Sequence, residues 1–336
     1  MSLSRSLLIT VLFISLSILL GACGQEEAAN EEAISNGNST SGTINLTFMA
    51  AQQSGAWYPL AVGITEMMKK NIDNLGNISI QPGGGVSNVI ALNNGTGEIG
   101  FSQAGPAADG FLGNPPFQEK MENVKYLLSL FPHQTHIVVP KNSGIATIED
   151  IKGKRINVGT QGLLSEDIAS RILEIHGMTY GDMQSVQNLS FSDSVEQMKD
   201  GRLDVLFWTV PAPFAVLNDL SQSMEIDFLE LPKDTIDELL SQNAGFFKTS
   251  LDAGTYNGVD YDVATIQSPI VVIASNETSE DLIYQTTKTI YEGIEELAQI
   301  NPVIGTLDPK VDLPIDIGVP LHPGAEKFFR EQGLLQ

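Results

Sequence analysis

The stretch Leu128–Gly162, LSLFPHQTHIVVPKNSGIATIEDIKGKRINVGTQG, decides how the rest of the chain is read. His136–Pro140 is β-branched and apolar, Ser143–Gly144 turns the chain, Thr147–Lys152 has the length of a short helix, and Arg155–Val158 is a strand running into glycine and polar residues. This order suits a strand that leaves one lobe and opens another. Strand C-termini followed by a Gly-containing turn and a helix present unpaired backbone N–H groups to a crevice, where open α/β sheets bind small ligands. A pocket edge is expected here.

Toward the N-terminus, the same unit of strand, polar loop and helix repeats. Ile44–Ala50 alternates as a strand, and after Pro59 the residues Leu60, Ile64, Met67 and Met68 recur at helical spacing as far as Lys69–Lys70. Ile78–Gln81 is a second strand, followed by Pro82-Gly83-Gly84-Gly85 and a helix from Val86 or Ser87 through Leu92. Ile99–Phe101 is a third, followed by Ser102-Gln103-Ala104-Gly105.

Toward the C-terminus the pattern resumes. Ser165 is expected to cap a helix with Glu166 and Asp167 in its first turn, and Asp193-x-x-Glu196 fits a capping box. Leu203–Trp208 is a nearly continuous apolar run suited to a covered strand, with Thr209–Pro213 as a rigid turn. Met224–Ala253 mixes a strand at Phe228–Leu231 with a helix near Thr235–Gln242. Ile266–Ser275 is a strand rich in Val and Ile, a long helix is expected over Ser279–Gln299, and Pro323–Phe329 starts a last one. If these final elements return to the first lobe, the chain crosses between lobes near Phe131–His133 and near Ala264–Gln267, and two crossings make a hinge. The expected architecture is α/β, with residues 44–132 and 265–336 in lobe one and 133–264 in lobe two.

The chain has 336 residues, 42% of them hydrophobic, enough for two ordinary cores. Its formal net charge of −23, from 41 acidic and 18 basic residues, argues against nucleic acid and against adsorption to anionic lipid. Membrane association has another source. Residues 1–22 carry Arg5, an apolar run from Leu7 to Leu20, and Gly21-Ala22 before Cys23, as in a lipoprotein signal peptide. Cys23 is the single cysteine and the expected lipidation site, so no disulfide is expected within the chain. Residues 23–43 are a polar, lipid-bearing tether that cannot repay the entropy of folding.

Three motifs bear on enzyme chemistry. Gly100-Phe101-Ser102-Gln103-Ala104 approximates a nucleophile elbow, so a serine hydrolase using Ser102 is the rival from a different class. His133-x-x-His136 on a strand puts the two rings on opposite faces, unlike a helical metal pair, and no metal or other cofactor is expected. The glycine run lacks the Lys and Ser/Thr of a phosphate loop. The three polar loops say more together. In a parallel sheet they converge on one edge and offer neutral hydrogen bonding plus free N–H groups, which can hold a carboxylate without a cation. The expected ligand-binding residues are Ser54, Tyr58, Gly84, Ser87, Asn88 and Gln103 from lobe one. Thr160, Gln161 and Trp208 are expected from lobe two.

Several words in the chain resemble one family. Ser54-Gly55-Ala56-Trp57-Tyr58-Pro59, Gly84-Gly85-Val86-Ser87-Asn88, Ser143-Gly144-Ile145, Gly153–Gly159, Asp204 with Pro211, and Leu321-His322-Pro323-Gly324-Ala325 are similar to the TAXI family. These are the extracytoplasmic solute-binding subunits of one class of TRAP transporters. The resemblance covers about Ile44 to Gly333. It implies a type II periplasmic-binding-protein fold, a ligand cleft between lobes, delivery to a TRAP membrane permease, and a small carboxylate or amino acid such as glutamate. Two departures stand out: Gly159-Thr160-Gln161-Gly162 replaces a Gly-Ser-Gly-Thr-like turn, and Trp57-Tyr58 replaces Tyr-Tyr. The expected protein is a non-enzymatic, monomeric, membrane-anchored extracytoplasmic receptor for a small anionic or zwitterionic solute. A receptor for an ABC importer or a sensor kinase is the alternative within that class.

Overall fold

A computed structural model describes residues 43–335 other than 52, 54 and 55. The expected signal peptide, the Cys23 lipid site, all but the last residue of the tether, and Ser54 lie outside the described residues. Among the described residues, no helix is long and apolar enough to cross a membrane.

Three strand and helix units open the fold: β1 (Ile44–Met49), α1 (Trp57–Asn71), β2 (Leu75–Gln81), α2 (Gly85–Asn93), β3 (Ile99–Gln103) and α3 (Ala104–Leu112). The long strand β4 (Val124–Pro140) then leads to β5 (Arg155–Asn157), α4 (Leu164–Ile175), β6 (Ser185–Gln187), α5 (Phe191–Lys199) and β7 (Val205–Val210). After α6 (Ala215–Ser223), β8 (Ile226–Phe228), α7 (Lys233–Gln242) and β9 (Phe247–Leu251), a second long strand, β10 (Val263–Ser275), returns the chain. Helices α8 (Glu280–Glu292), α9 (Ile294–Ala298) and α10 (Pro323–Glu331) complete it. The strands form one curled sheet in the order β2-β1-β3-β10-β4-β7-β5-β6, with β8 on β4 and β9 on β10.

Burial follows the sequence periodicity. Helix α1 buries Leu60, Ile64, Met67 and Met68 and keeps Lys69 and Lys70 in its last turn, where cations suit the helix dipole. On β4 the core changes partners along the strand: Leu128 and Phe131 pack with α1, α8 and α10, whereas Ile137 and Val139 pack with Ile168 and Ile172 of α4. The same change occurs on β10 between Ile266 and Ile270. Two long antiparallel strands therefore run through two lobes. At the change they place Pro132 opposite Pro269, followed by an irregularity in register between Pro269 and Val271. Neither residue of that pair has an N–H, so neither can donate to the other strand.

Several expectations are corrected. Strand β4 begins at Val124, ahead of the entrance expected near His133, because the apolar run continues through Pro132 opposite another proline. Ser165 lies inside α4, whose N-cap is Leu163; its Oγ instead accepts from the Thr209 amide at 2.9 Å. The cap of α5 is Ser190, whose side chain accepts from Asp193 N, so Asp193 lies in the first turn rather than at the cap. The single long helix over Ser279–Gln299 divides at Gly293, where Met67 packs so close that a Cβ would meet its Cε at 1.8 Å.

Candidate functional site

Parallel pairing brings the loops together. β1 pairs in parallel with β2 and β3, and β5 with β6 and β7, so the C-terminal ends within each set share an edge. Between the two sets lies a cavity of about 290 Å³. Lobe one lines it with Trp57, Gly83–Val86, Gln103 and Phe131, and His133 lines it just past Pro132 on β4. Gly162–Ser165, Phe191, Thr209–Pro211 and Phe214 line it from across the cleft, and Asn301 touches its rim. Among the described residues, no Asp, Glu, Lys or Arg lines it.

The glycine loop is built by a side chain that the cavity does not touch. Asn88 is fully buried; its Nδ2 donates to the carbonyls of Ala50 at 2.8 Å, Phe101 at 2.9 Å and Met49 at 3.2 Å. Its Oδ1 accepts from Gly84 N, and a Cβ on Gly83 would fall 1.8 Å from that oxygen. Glycine is required there by contact. The loop so held leaves the amides of Gly85, Val86 and Ser87, at the start of α2, without backbone partners among the described residues. Leu164 and Ser165 at the start of α4 stand in the same condition.

Two neutral polar side chains that line the cavity, Gln103 and His133, have no side-chain partner among the described residues. Gln103, at the end of β3, is 9% exposed, and its amide bonds no described residue; its Oε1 lies where a Cβ on Gly85 would collide at 2.3 Å. His133 is 8% exposed, its Nδ1 is buried without a hydrogen-bond partner, and its ring sits 6.3 Å from Trp57 and 5.5 Å from Phe131. Burial, reinforced by neighbouring His136, lowers the pKa of His133 to about 3, so the ring is neutral at neutral pH. His136 points to the other side and bonds Gln134 O and Tyr256 Oη.

The expected site residues divide. Gly84 and Gln103 line the cavity. Ser87 is exposed on α2, its Oγ donating to Gly84 O, and Thr160 and Gln161 are exposed in the turn preceding the lining residue Gly162. Tyr58 is half-buried in the first turn of α1, away from the lining set. Trp208 is fully buried and backs the wall: its ring meets those of Phe191 at 4.9 Å and Phe214 at 6.0 Å, and these two face the cavity. Sequence reasoning missed Phe131, His133, Phe191 and Phe214. Only His133 carried a signal, its placement on the opposite strand face from His136. Ser102 is fully buried inside β3 and its hydroxyl donates to Gly85 O at 3.1 Å, unlike a nucleophile held out on a strand-to-helix turn.

The two walls are also joined away from the cavity. Arg171 of α4 donates to Asp109 of α3 at 2.7 Å and to Asp167 at 2.9 Å, and its guanidinium lies 5.6 Å from the Phe246 ring centre. Burial raises the pKa of Asp109, and Arg171 opposes that rise.

Two α/β lobes sharing a pair of long strands, with a cleft between them, define the type II periplasmic-binding-protein fold. The chain belongs to the NMT1-like family, whose model matches residues 48–333. Its fold is similar to that of a protein from a study of glutathione import through GshT and the cystine ABC importer TcyBC of Streptococcus mutans. That match has TM-score 0.50 and 14% identity, covering 79% of this chain and 98% of the other. The periplasmic aliphatic sulphonate binding protein SsuA from Escherichia coli matches with TM-score 0.46 and 17% identity, covering 87% and 88%. A putative L-cystine ABC transporter protein from Listeria monocytogenes matches with TM-score 0.46 and 13% identity, covering 79% and 97%.

Proposed function

We propose that this protein is an extracytoplasmic receptor that captures a small organic acid by closing two lobes over it and delivers it to a membrane importer. The observation that carries this reading is the cavity between the lobes. It holds amides from two helix starts and two neutral side chains, Gln103 and His133, that have no partner among the described residues. Such groups satisfy a ligand better than they satisfy one another. A ligand touched by both lobes favours the closed state by its differential affinity. In this reading Gly84 and Gln103 contact the solute, Thr160, Gln161 and Ser87 form the rim, and Asn88 and Trp208 shape the walls. The pivot falls at Pro132 and Pro269, which shifts the start of lobe one on the return strand from 265 to about 269.

The importer is better matched to an ABC transporter than to the TRAP permease that the TAXI-like words imply, since similar folds serve ABC importers in Streptococcus and Listeria. Lipidation of Cys23 and a monomeric state belong to the same proposal. Calorimetric screening of organic acids and amino acids on the mature chain, with X-ray scattering to follow closure, tests the receptor. A specific ligand that compacts the protein supports it, and binding by none refutes it. Uptake in vesicles carrying the genetically neighbouring permease separates the importers: dependence on ATP supports the ABC partner, dependence on an ion gradient the TRAP partner.

A further inference from the structure

The chemistry of the cavity restricts its ligand more than the receptor reading requires. At about 290 Å³ it lies at the lower end of small-molecule sites, roughly 300–1,000 Å³. Trp57, Phe131, Phe191 and Phe214 give it flat apolar faces. Among the described residues, its lining offers no carboxylate for an ammonium group and no guanidinium or amine for a second carboxylate. A charge closed into such a space without a partner costs several kcal/mol of lost hydration. One anionic end can be met by the amides at the starts of α2 and α4, helices of 9 and 12 residues whose dipoles favour negative charge. Those amides are not the only sign of a ligand. His133 and Gln103, each more than nine-tenths buried, line the same space and carry polar atoms with no partner among the described residues.

We infer that the cleft selects a small organic solute with a single negative charge and an apolar or aromatic body, and that His133 and Gln103 are the side chains that read it. This rests on the receptor reading and narrows it. Dicarboxylates and zwitterionic amino acids are rejected because each brings a second charge that nothing in the cavity pairs. His133, neutral, can both donate and accept, so it serves a carboxylate oxygen, a carbonyl or a hydroxyl beside the ring-filled wall.

Titration calorimetry on the mature chain, stripped of bound solute, with benzoate, phenylacetate and 4-methylpentanoate against phenylalanine, glutamate and succinate decides it. The expected result is that one of the three monoanions binds at least about tenfold tighter than each of the other three probes. His133→Leu should weaken that binding by about tenfold or more, and His133→Gln should keep it within about threefold, as expected when the hydrogen bond rather than ring volume matters. Preferred binding of glutamate, phenylalanine or succinate overturns the single-charge assignment and leaves the receptor standing. Silence from all six probes, with no compaction in scattering, overturns both. Unchanged binding by His133→Leu at an unchanged melting temperature removes His133 from the site.

Discussion

The two walls of the cleft present similar chemistry by different construction. The Gly83–Gly85 wall is fastened from behind by Asn88, a buried amide joined to the carbonyls of Met49 on β1, Ala50 just after it and Phe101 on β3. The wall across the cleft, over Thr160–Ser165, has at its tip only bonds within the turn, Leu163 N to Thr160 O and Gly162 N to the Glu166 carboxylate at 2.7 Å, while Asn188 to Gly159 O and Thr209 N to Ser165 Oγ, each 2.9 Å, hold its two ends. Thr160, Gln161 and Gly162 are exposed, and Leu163 is 40% exposed beside the cavity. The first wall is a fixed template and the second an adaptable one. Changes behind the first should therefore act on folding, while changes at the tip of the second should act weakly and only on binding.

The severest test of that contrast is Asn88→Ala. Leaving buried carbonyls and the Gly84 amide without a partner should cost about 2–4 kcal/mol, seen as a lower urea midpoint, and ligand binding should fall with it. Stability within about 0.5 kcal/mol of the parent would show that the wall stands without its anchor. Next comes the bond between walls. Arg171→Met strands Asp109, whose side chain is 4% exposed, and should cost about 2–3 kcal/mol, partly recovered in the double variant with Asp109→Asn. Full additivity in that cycle would deny coupling between α3 and α4.

A smaller effect concerns acid. Burial lowers the pKa of His133 to about 3, of His136 to about 4, and of His322 below its ordinary value. Below about pH 6.5 the unfolded chain takes up protons that the folded chain refuses, so stability should fall with acidification there and stay level with respect to these groups above it. His133→Gln should shrink the fall in melting temperature between about pH 7 and about pH 5 by roughly a third. Asp109 and Asp167, whose pKa values burial raises, act in the opposite direction but are common to both proteins. An identical fall in parent and variant would place His133 in contact with water. The least effect is expected at the adaptable tip: Thr160→Ala and Gln161→Ala should each change affinity by less than about threefold and leave melting unaltered.

The order of strand, loop and helix was legible because glycine and proline punctuate it and apolar spacing changes period between elements. The convergence of the polar loops followed from parallel pairing. The roles within the loops did not follow, because an amide that grips a loop from behind and one that faces a solute have the same composition; Asn88 and Gln103 differ only in where the sheet aims them. Phe191 and Phe214 were invisible for another reason. They come from the starts of α5 and α6, where nothing local distinguishes a cavity wall from a core contact. Strand periodicity sets His133 opposite His136 but does not say which face of a strand opens onto empty space.

The facing prolines of β4 and β10 bear on how the molecule can bend. Because that position contains no exchangeable backbone proton on either strand, a swing of the lobes about it need not rupture a rung there. Deuterium uptake along each long strand should accordingly show two protected islands divided by a silent gap, and solute should slow exchange at the cleft without merging them.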